Sequence, residues 1–221
     1  MQSKIFFIIF VLSFFLSSES SFAAVRCPSQ PKAQGGLNNI FFSFWKPEAN
    51  LKKYIPKNLI LIDPSYVKGG YPRCLTLQTY TAFINMADAL FNETGEFLQI
   101  ASAWRSTETQ LLFAKSRPEV AAAPGRSEHQ LGTTVDLDIW GSKEEDYFAA
   151  SKAYAWMVLH AKEYGFVQSF TKEGELLTGI PNEPWHWRFV GKTTATKIVD
   201  EKRNLSEFLY ERSESKKKAT P

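Results

Sequence analysis

Two short stretches hold the residues best suited to chemistry: Ser127-Glu128-His129-Gln130-Leu131-Gly132-Thr133-Thr134-Val135-Asp136, and later Glu183-Pro184-Trp185-His186-Trp187. Neutral imidazoles from His129 and His186 and a carboxylate from Asp136 would make three legs of a tetrahedron around one zinc ion. The fourth leg is left for water, which is the ligand count of a catalytic zinc rather than a closed structural one. Glu183 stands just before His186 and is free to act as base on that water. The pattern implies a zinc peptidase.

Those side chains need rigid supports. In Thr134-Val135-Asp136-Leu137-Asp138-Ile139 the period is two, so Val135, Leu137 and Ile139 face a core while Thr134, Asp136 and Asp138 share the other face. Asp136 is thereby presented by a strand. Asp138 could hydrogen-bond a ligand, although a solvated strand end is the preferred reading. Arg117 to Gly125, with two prolines and an alanine run, reads as a loop delivering His129, and Gly132 allows the turn into the strand. Pro184 keeps Glu183 and His186 off a helix interior, so the base lies on a turn and the ligand on a strand. This differs from the His-Glu-x-x-His arrangement, which carries ligands and base on one helix.

Around them, Leu59 to Ile62 reads as a short apolar strand or a buried turn. Thr76 opens a helix with Tyr80, Phe83, Ile84, Ala87, Leu90 and Phe91 on its apolar stripe, closed by Gly95. Phe97 to Trp104 reads as a buried strand. Thr107 and Gln110 have capping-box spacing, so a helix starts there. Arg105 then sits between a strand end and a helix start, where a side chain can enter a cleft; taken alone it suits a surface salt bridge, and Gln110 a cap. Ser142 with Glu145 predicts a helix to about Tyr164, stopped by Gly165. That helix carries His160, which is set aside as structural or solvated. Phe166 to Phe170 reads as a strand, Thr171 to Gly179 as a polar loop, and Thr193 to about Tyr210 as a helix.

A chain of 221 residues with 44% hydrophobic and 14% aromatic residues can bury a substantial single core. Lys4, the apolar run Ile5 to Leu16 and Ser21-Phe22-Ala23 have the form of an export signal, so residues 1–23 are expected to be cleaved after Ala23. The run is shorter than the about 20 apolar residues a membrane span needs. The protein is therefore expected to be exported, periplasmic or associated with the cell wall, with no stable membrane insertion. Residues 24–50 read as an irregular lead-in, 51–211 as the catalytic domain and 212–221 as a basic disordered tail. The formal net charge of +3 is mild and supports no nucleic-acid partner; a monomer is expected. Cys27 and Cys74 are the only cysteines, and in an exported protein they can form one disulfide, the alternative being two unpaired thiols.

Taken together, Ser102-Ala-Trp-Arg-Ser106 with Gln110, Pro124-Gly-Arg-Ser-Glu-His-Gln-Leu-Gly132 with Val135-Asp136, Thr178-Gly179, and Glu183-Pro-Trp-His-Trp-Arg-Phe-Val-Gly191 resemble the VanY-type D-alanyl-D-alanine carboxypeptidases. The likeness runs in family order from roughly Leu51 to Tyr210. It implies an α+β fold with a small antiparallel sheet flanked by helices, a zinc site at the sheet, and a peptidoglycan stem-peptide substrate. It assigns His129, Asp136 and His186 as ligands, Glu183 as base and Arg105 as the arginine that meets the substrate carbonyl. Ser106, Gln110, Ser127 and Trp187 fall at motif positions near the substrate. Two departures stand out: Ser169-Phe170 replaces a frequent Arg-Tyr pair, and Thr133-Thr134 a smaller apolar pair. The implied reaction is removal of a terminal D-alanine, across a D,D or an L,D bond, by a metal-activated water. A cross-link endopeptidase would share every catalytic residue. A non-catalytic, zinc-containing peptidoglycan-binding module would lack the base, and Glu183 is present.

Overall fold

The computed structural model describes residues 27–28, 51, 54–119, 121–142 and 147–218. The expected signal segment and nearly all of the expected lead-in lie outside them. Strands β1 (Leu59–Leu61) and β2 (Cys74–Thr76) pair antiparallel. Thr76 then caps α1 (Leu77–Thr94) by accepting from Thr79 N, and Gly95 closes it. Of the stripe read from the sequence, Phe83, Ala87 and Leu90 are buried together with Met86, Tyr80 and Ile84 pack against the same core, and Phe91 is exposed.

The remaining strands are β3 (Leu98–Ser102), β4 (Thr134–Ile139), β5 (Phe166–Gln168) and β6 (His186–Phe189), which form one antiparallel sheet in the order β3-β4-β6-β5. Strict alternation gives this sheet two unlike faces. Leu98, Ile100, Val135, Leu137, Ile139, Phe166, Trp187 and Phe189 pack with α1 and with α3 (Lys152–His160) in one apolar core. The opposite face carries Asp136, His186 and Arg188. Beyond β5, Val167 and Val190 join a smaller cluster with Ala195 and Ile198 of α5 (Lys192–Asp200) and Leu205, Phe208 and Leu209 of α6 (Leu205–Lys218).

Several boundaries differ from the sequence reading. Helix α2 (Thr107–Ser116) is capped by Ser106, whose hydroxyl accepts from Thr109 N, one residue ahead of the expected cap. The helix expected from Ser142 is capped instead by Ser151, which accepts from Tyr154 N at 3.0 Å. Ser142 has another use, since its hydroxyl donates to Asp138 Oδ1 at 2.6 Å. The loop before the second motif contains one short helix, α4 (Glu175–Thr178). The single helix expected to Tyr210 is broken into α5 and α6 by a turn in which Lys202 has a φ of 53°. The last three residues of the expected tail lie outside the described residues, and residues 212–218 continue α6, which is helical through Lys218. Leu205, Phe208 and Leu209 anchor its first turns, and the Glu- and Lys-rich remainder has good helix propensity.

Candidate metal centre

Pairing of β4 with β6 sets Asp136 directly opposite His186. Cross-strand neighbours have Cβ atoms about 4.5–5.5 Å apart, so two of the three expected ligands meet through sheet register alone. His129 comes from a short 3-10 turn, Glu128–Leu131, that ends at Gly132 immediately before β4. Its ring stands perpendicular to that of His186, with centroids 5.0 Å apart. One ligand atom from each of His129, Asp136 and His186 lies within 4.8 Å of the others.

The donor set fits zinc. Asp136 Oδ2 is 3.1 Å from His129 Nε2, and Asp136 Oδ1 is 3.1 Å from His186 Nδ1. Ligands about 2.1 Å from a tetrahedral zinc lie about 3.4 Å from one another. Despite these short distances, His129 Nε2 and Asp136 Oδ1 are buried without an aligned hydrogen bond, a costly arrangement that a cation between them relieves. The far nitrogen of each ring is held. His129 Nδ1 is 2.8 Å from the Ala103 carbonyl, and His186 Nε2 is 3.1 Å from Glu128 Oε2. A proton on each of those nitrogens leaves the lone pairs of His129 Nε2 and His186 Nδ1 aimed at Asp136.

Electrostatics follow the geometry. Burial, helped by Arg105, lowers the His129 pKa to about 4 against the pull of Asp136, so this imidazole is neutral at pH 7. Burial also opposes charge on His186, but contacts with Asp136 and Glu128 outweigh it and raise the pKa to about 10. A metal on Nδ1 competes with that second proton. Asp136 is held well below the usual carboxylate range, because His129 and His186 outweigh its burial. Glu183 is shifted the other way: burial raises its pKa, with Asp136 and Glu128 adding to the effect. Its carboxylate lies 3.4 Å from His186 Nδ1 and keeps some exposure, on the turn in which His186 N donates to Glu183 O at 3.1 Å. A proton acceptor with a raised pKa therefore adjoins the ligand cluster.

Arg105 also reaches the site. Its N–H donates to His129 O at 3.3 Å, and its guanidinium lies over the Phe113 ring, 4.6 Å from the centroid. It adjoins Asp136 and Glu183 closely enough for both to act on it electrostatically, although burial lowers its own pKa. Its position at the site sets aside the surface salt bridge.

The weaker assignments fare differently. Ser106 is occupied as the α2 cap. Gln110 is fully buried and donates to Ala122 O at 2.7 Å, bracing the loop that leads to His129 rather than capping a helix. Ser127 is buried just before the 3-10 turn and makes no side-chain cap bond there. Trp187 is corrected: it faces the apolar core, on the opposite side of β6 from His186, and its Nε1 donates to Pro184 O at 2.7 Å. Asp138 is ion-paired to Lys68, and His160 bonds Glu163 outside the cluster. Cys27 and Cys74 are joined by a disulfide.

Sequence reasoning gave no role to Glu128, Ser169 or Arg188. All three are buried, and Glu128 joins the other two behind His186. The local signals were the places of Glu128 and Arg188 inside the quoted motifs and the departure at Ser169; their joining was not legible, since the partners of Glu128 lie 41, 58 and 60 residues away.

A mixed helix and small-sheet fold with a three-donor cluster and an adjacent carboxylate defines a candidate metal-dependent hydrolase site. The VanY family pattern, described as D-alanyl-D-alanine carboxypeptidase, matches residues 73–192, and the chain belongs to this family. It is 32% identical over 133 residues to a D-alanyl-D-alanine carboxypeptidase of Enterococcus faecalis, a match covering 52% of this chain and 48% of that protein. The chain thus spans about half the length of that relative. Among solved structures it is similar to the LD-carboxypeptidase LdcB, with a TM-score of 0.64 and 28% identity over 72% of this chain and 80% of the other. It is also similar to a mutant of the vancomycin-resistance D,D-pentapeptidase VanY from a VanB-type cassette, in complex with Zn(II). There the TM-score is 0.55 at 27% identity, covering 68% of this chain and 94% of the other.

Proposed function

We propose that the protein is an exported zinc-dependent carboxypeptidase that removes a terminal D-alanine from peptidoglycan stem peptides. The observation that carries this reading is the convergence of His129, Asp136 and His186, with two imidazole tautomers fixed for coordination and Glu183 beside them. Membership of the VanY family and the zinc in the VanY relative support the same assignment. Export is supported by the signal-like first residues and by the disulfide, which persists in oxidising compartments.

His129, Asp136 and His186 would hold the ion, which when bound lowers the pKa of water toward about 7. Glu183 accepts a proton from the attacking water and passes it to the departing D-alanine amine, so that the amide C–N bond breaks with protons balanced. Its raised pKa suits both halves of that transfer. Arg105 faces the carbonyl oxygen and offsets the negative charge that develops on it; loss of one such donor typically costs about 10²–10³ in rate.

The test is incubation of the zinc-loaded protein with tetrapeptide and pentapeptide stems, with products read by mass. Loss of one terminal D-alanine supports the proposal, and the stem on which it occurs separates D,D from L,D specificity. Release of internal fragments from cross-linked stems would make the protein an endopeptidase, and binding without turnover would make it a non-catalytic module.

A further inference from the structure

We propose that Glu128 is a positioning residue for the metal site: its carboxylate takes the Nε2–H of His186 and so turns the Nδ1 lone pair toward Asp136 and His129. The inference rests on the zinc reading above and concerns a residue that does not itself join the ligand cluster. His186 Nε2 lies 3.1 Å from Glu128 Oε2. The same oxygen accepts from the Ser169 hydroxyl at 2.6 Å, and Glu128 Oε1 accepts from Arg188 Nη1 at 2.6 Å. Glu128 is 6% exposed and Arg188 is fully buried.

A buried carboxylate is destabilising unless charge and hydrogen bonds compensate it; here Arg188 and Ser169 do so. Arg188 and His186 project from the same face of β6, two residues apart, so one strand presents both the ligand and the cation that fixes its acceptor. The two histidines are held unequally. His129 has the Ala103 carbonyl behind it, whereas His186 has the Glu128 carboxylate. A carboxylate behind an imidazole raises its basicity as well as setting its tautomer, and loss of such a partner typically weakens metal binding about 10–100-fold. Glu128 also precedes His129 on the same 3-10 turn, so one turn supplies a ligand and orients another.

The experiment is competition for Zn²⁺ with a chelator, on wild type, Glu128→Gln and Ser169→Ala, alongside circular dichroism and thermal unfolding of the metal-free proteins. Glu128→Gln should stay folded and bind zinc about 10–100-fold more weakly. Ser169→Ala removes a donor from the oxygen that meets His186 and should weaken binding in the same direction by less. A purely structural Glu128 would lower metal-free stability and leave zinc affinity unchanged. A folded Glu128→Gln protein binding zinc within twofold of wild type would therefore overturn the inference. Should that variant fail to fold, unchanged zinc affinity in Ser169→Ala does the same. Wild type that takes up no zinc would instead sink the metal reading itself.

Discussion

On the proposed reading His129, Asp136 and His186 hold a metal while Glu183 moves a proton, and the two roles separate experimentally. Replacing any ligand by Ala should remove most of the zinc, because a three-donor site has none to spare; elemental analysis showing His186→Ala as metal-rich as wild type would break the assignment. Glu183→Gln keeps nearly the same size and should keep the metal while losing about 10²–10⁴ in turnover. Full zinc with near-normal turnover would remove Glu183 as base, and loss of zinc would make it a ligand. Arg105→Ala should also keep zinc and lose about 10²–10³ in rate. The convergence of these residues was legible in the sequence because each belongs to a short local motif, and the structure brings them together. The place of Glu128 was not, since its contacts with Ser169, His186 and Arg188 are made only in the folded chain.

Elements were legible where one physical signal acted alone. The period-two pattern of Thr134 to Ile139 is matched by β4, and Thr76 and Gly95 bound α1 as expected. The one cap read from Ser142 did not hold: its hydroxyl donates to Asp138, and Ser151, which the sequence reading did not single out, starts α3. The joint between the His129 turn and β4 depends on Gly132, whose φ of 70° is left-handed and whose added Cβ would lie 3.0 Å from Leu59 Cδ2 and from Pro56 Cγ. Gly132→Ala combines backbone strain with crowding and should cost about 2–5 kcal/mol, weakening zinc binding as His129 shifts. Gly179 has a similar φ of 69° with nothing near its added Cβ, so Gly179→Ala should cost only about 1–2 kcal/mol. Chemical denaturation of the two variants compares them directly, and equal costs would remove crowding from the account of Gly132.

At the scale of the whole molecule, the sheet carries the site on one face and the core on the other, while the disulfide ties the N-terminal side of the chain to β2. Cys27 and Cys74 are separated by 47 residues. Closing a loop of that length lowers the entropy of the unfolded chain and, in the chain-entropy model, stabilises the fold by about 4 kcal/mol. Cys74 is buried, and its carbonyl accepts from Trp104 N at 3.0 Å, one residue before Arg105. No ligand of the cluster lies on β2, so the bridge should affect stability far more than metal content. A Cys27→Ala/Cys74→Ala protein should thus keep its zinc but unfold about 8–16 °C lower than wild type, taking about 2–4 °C per kcal/mol for a domain of this size. Reductant should lower the wild-type midpoint by a similar amount and leave the double variant unmoved. Thermal unfolding with and without reductant, on preparations assayed for zinc, checks both halves. A wild-type midpoint indifferent to reductant would show that the bridge does not hold the fold, and loss of zinc on reduction would show that β2 supports the site more directly than its contacts imply.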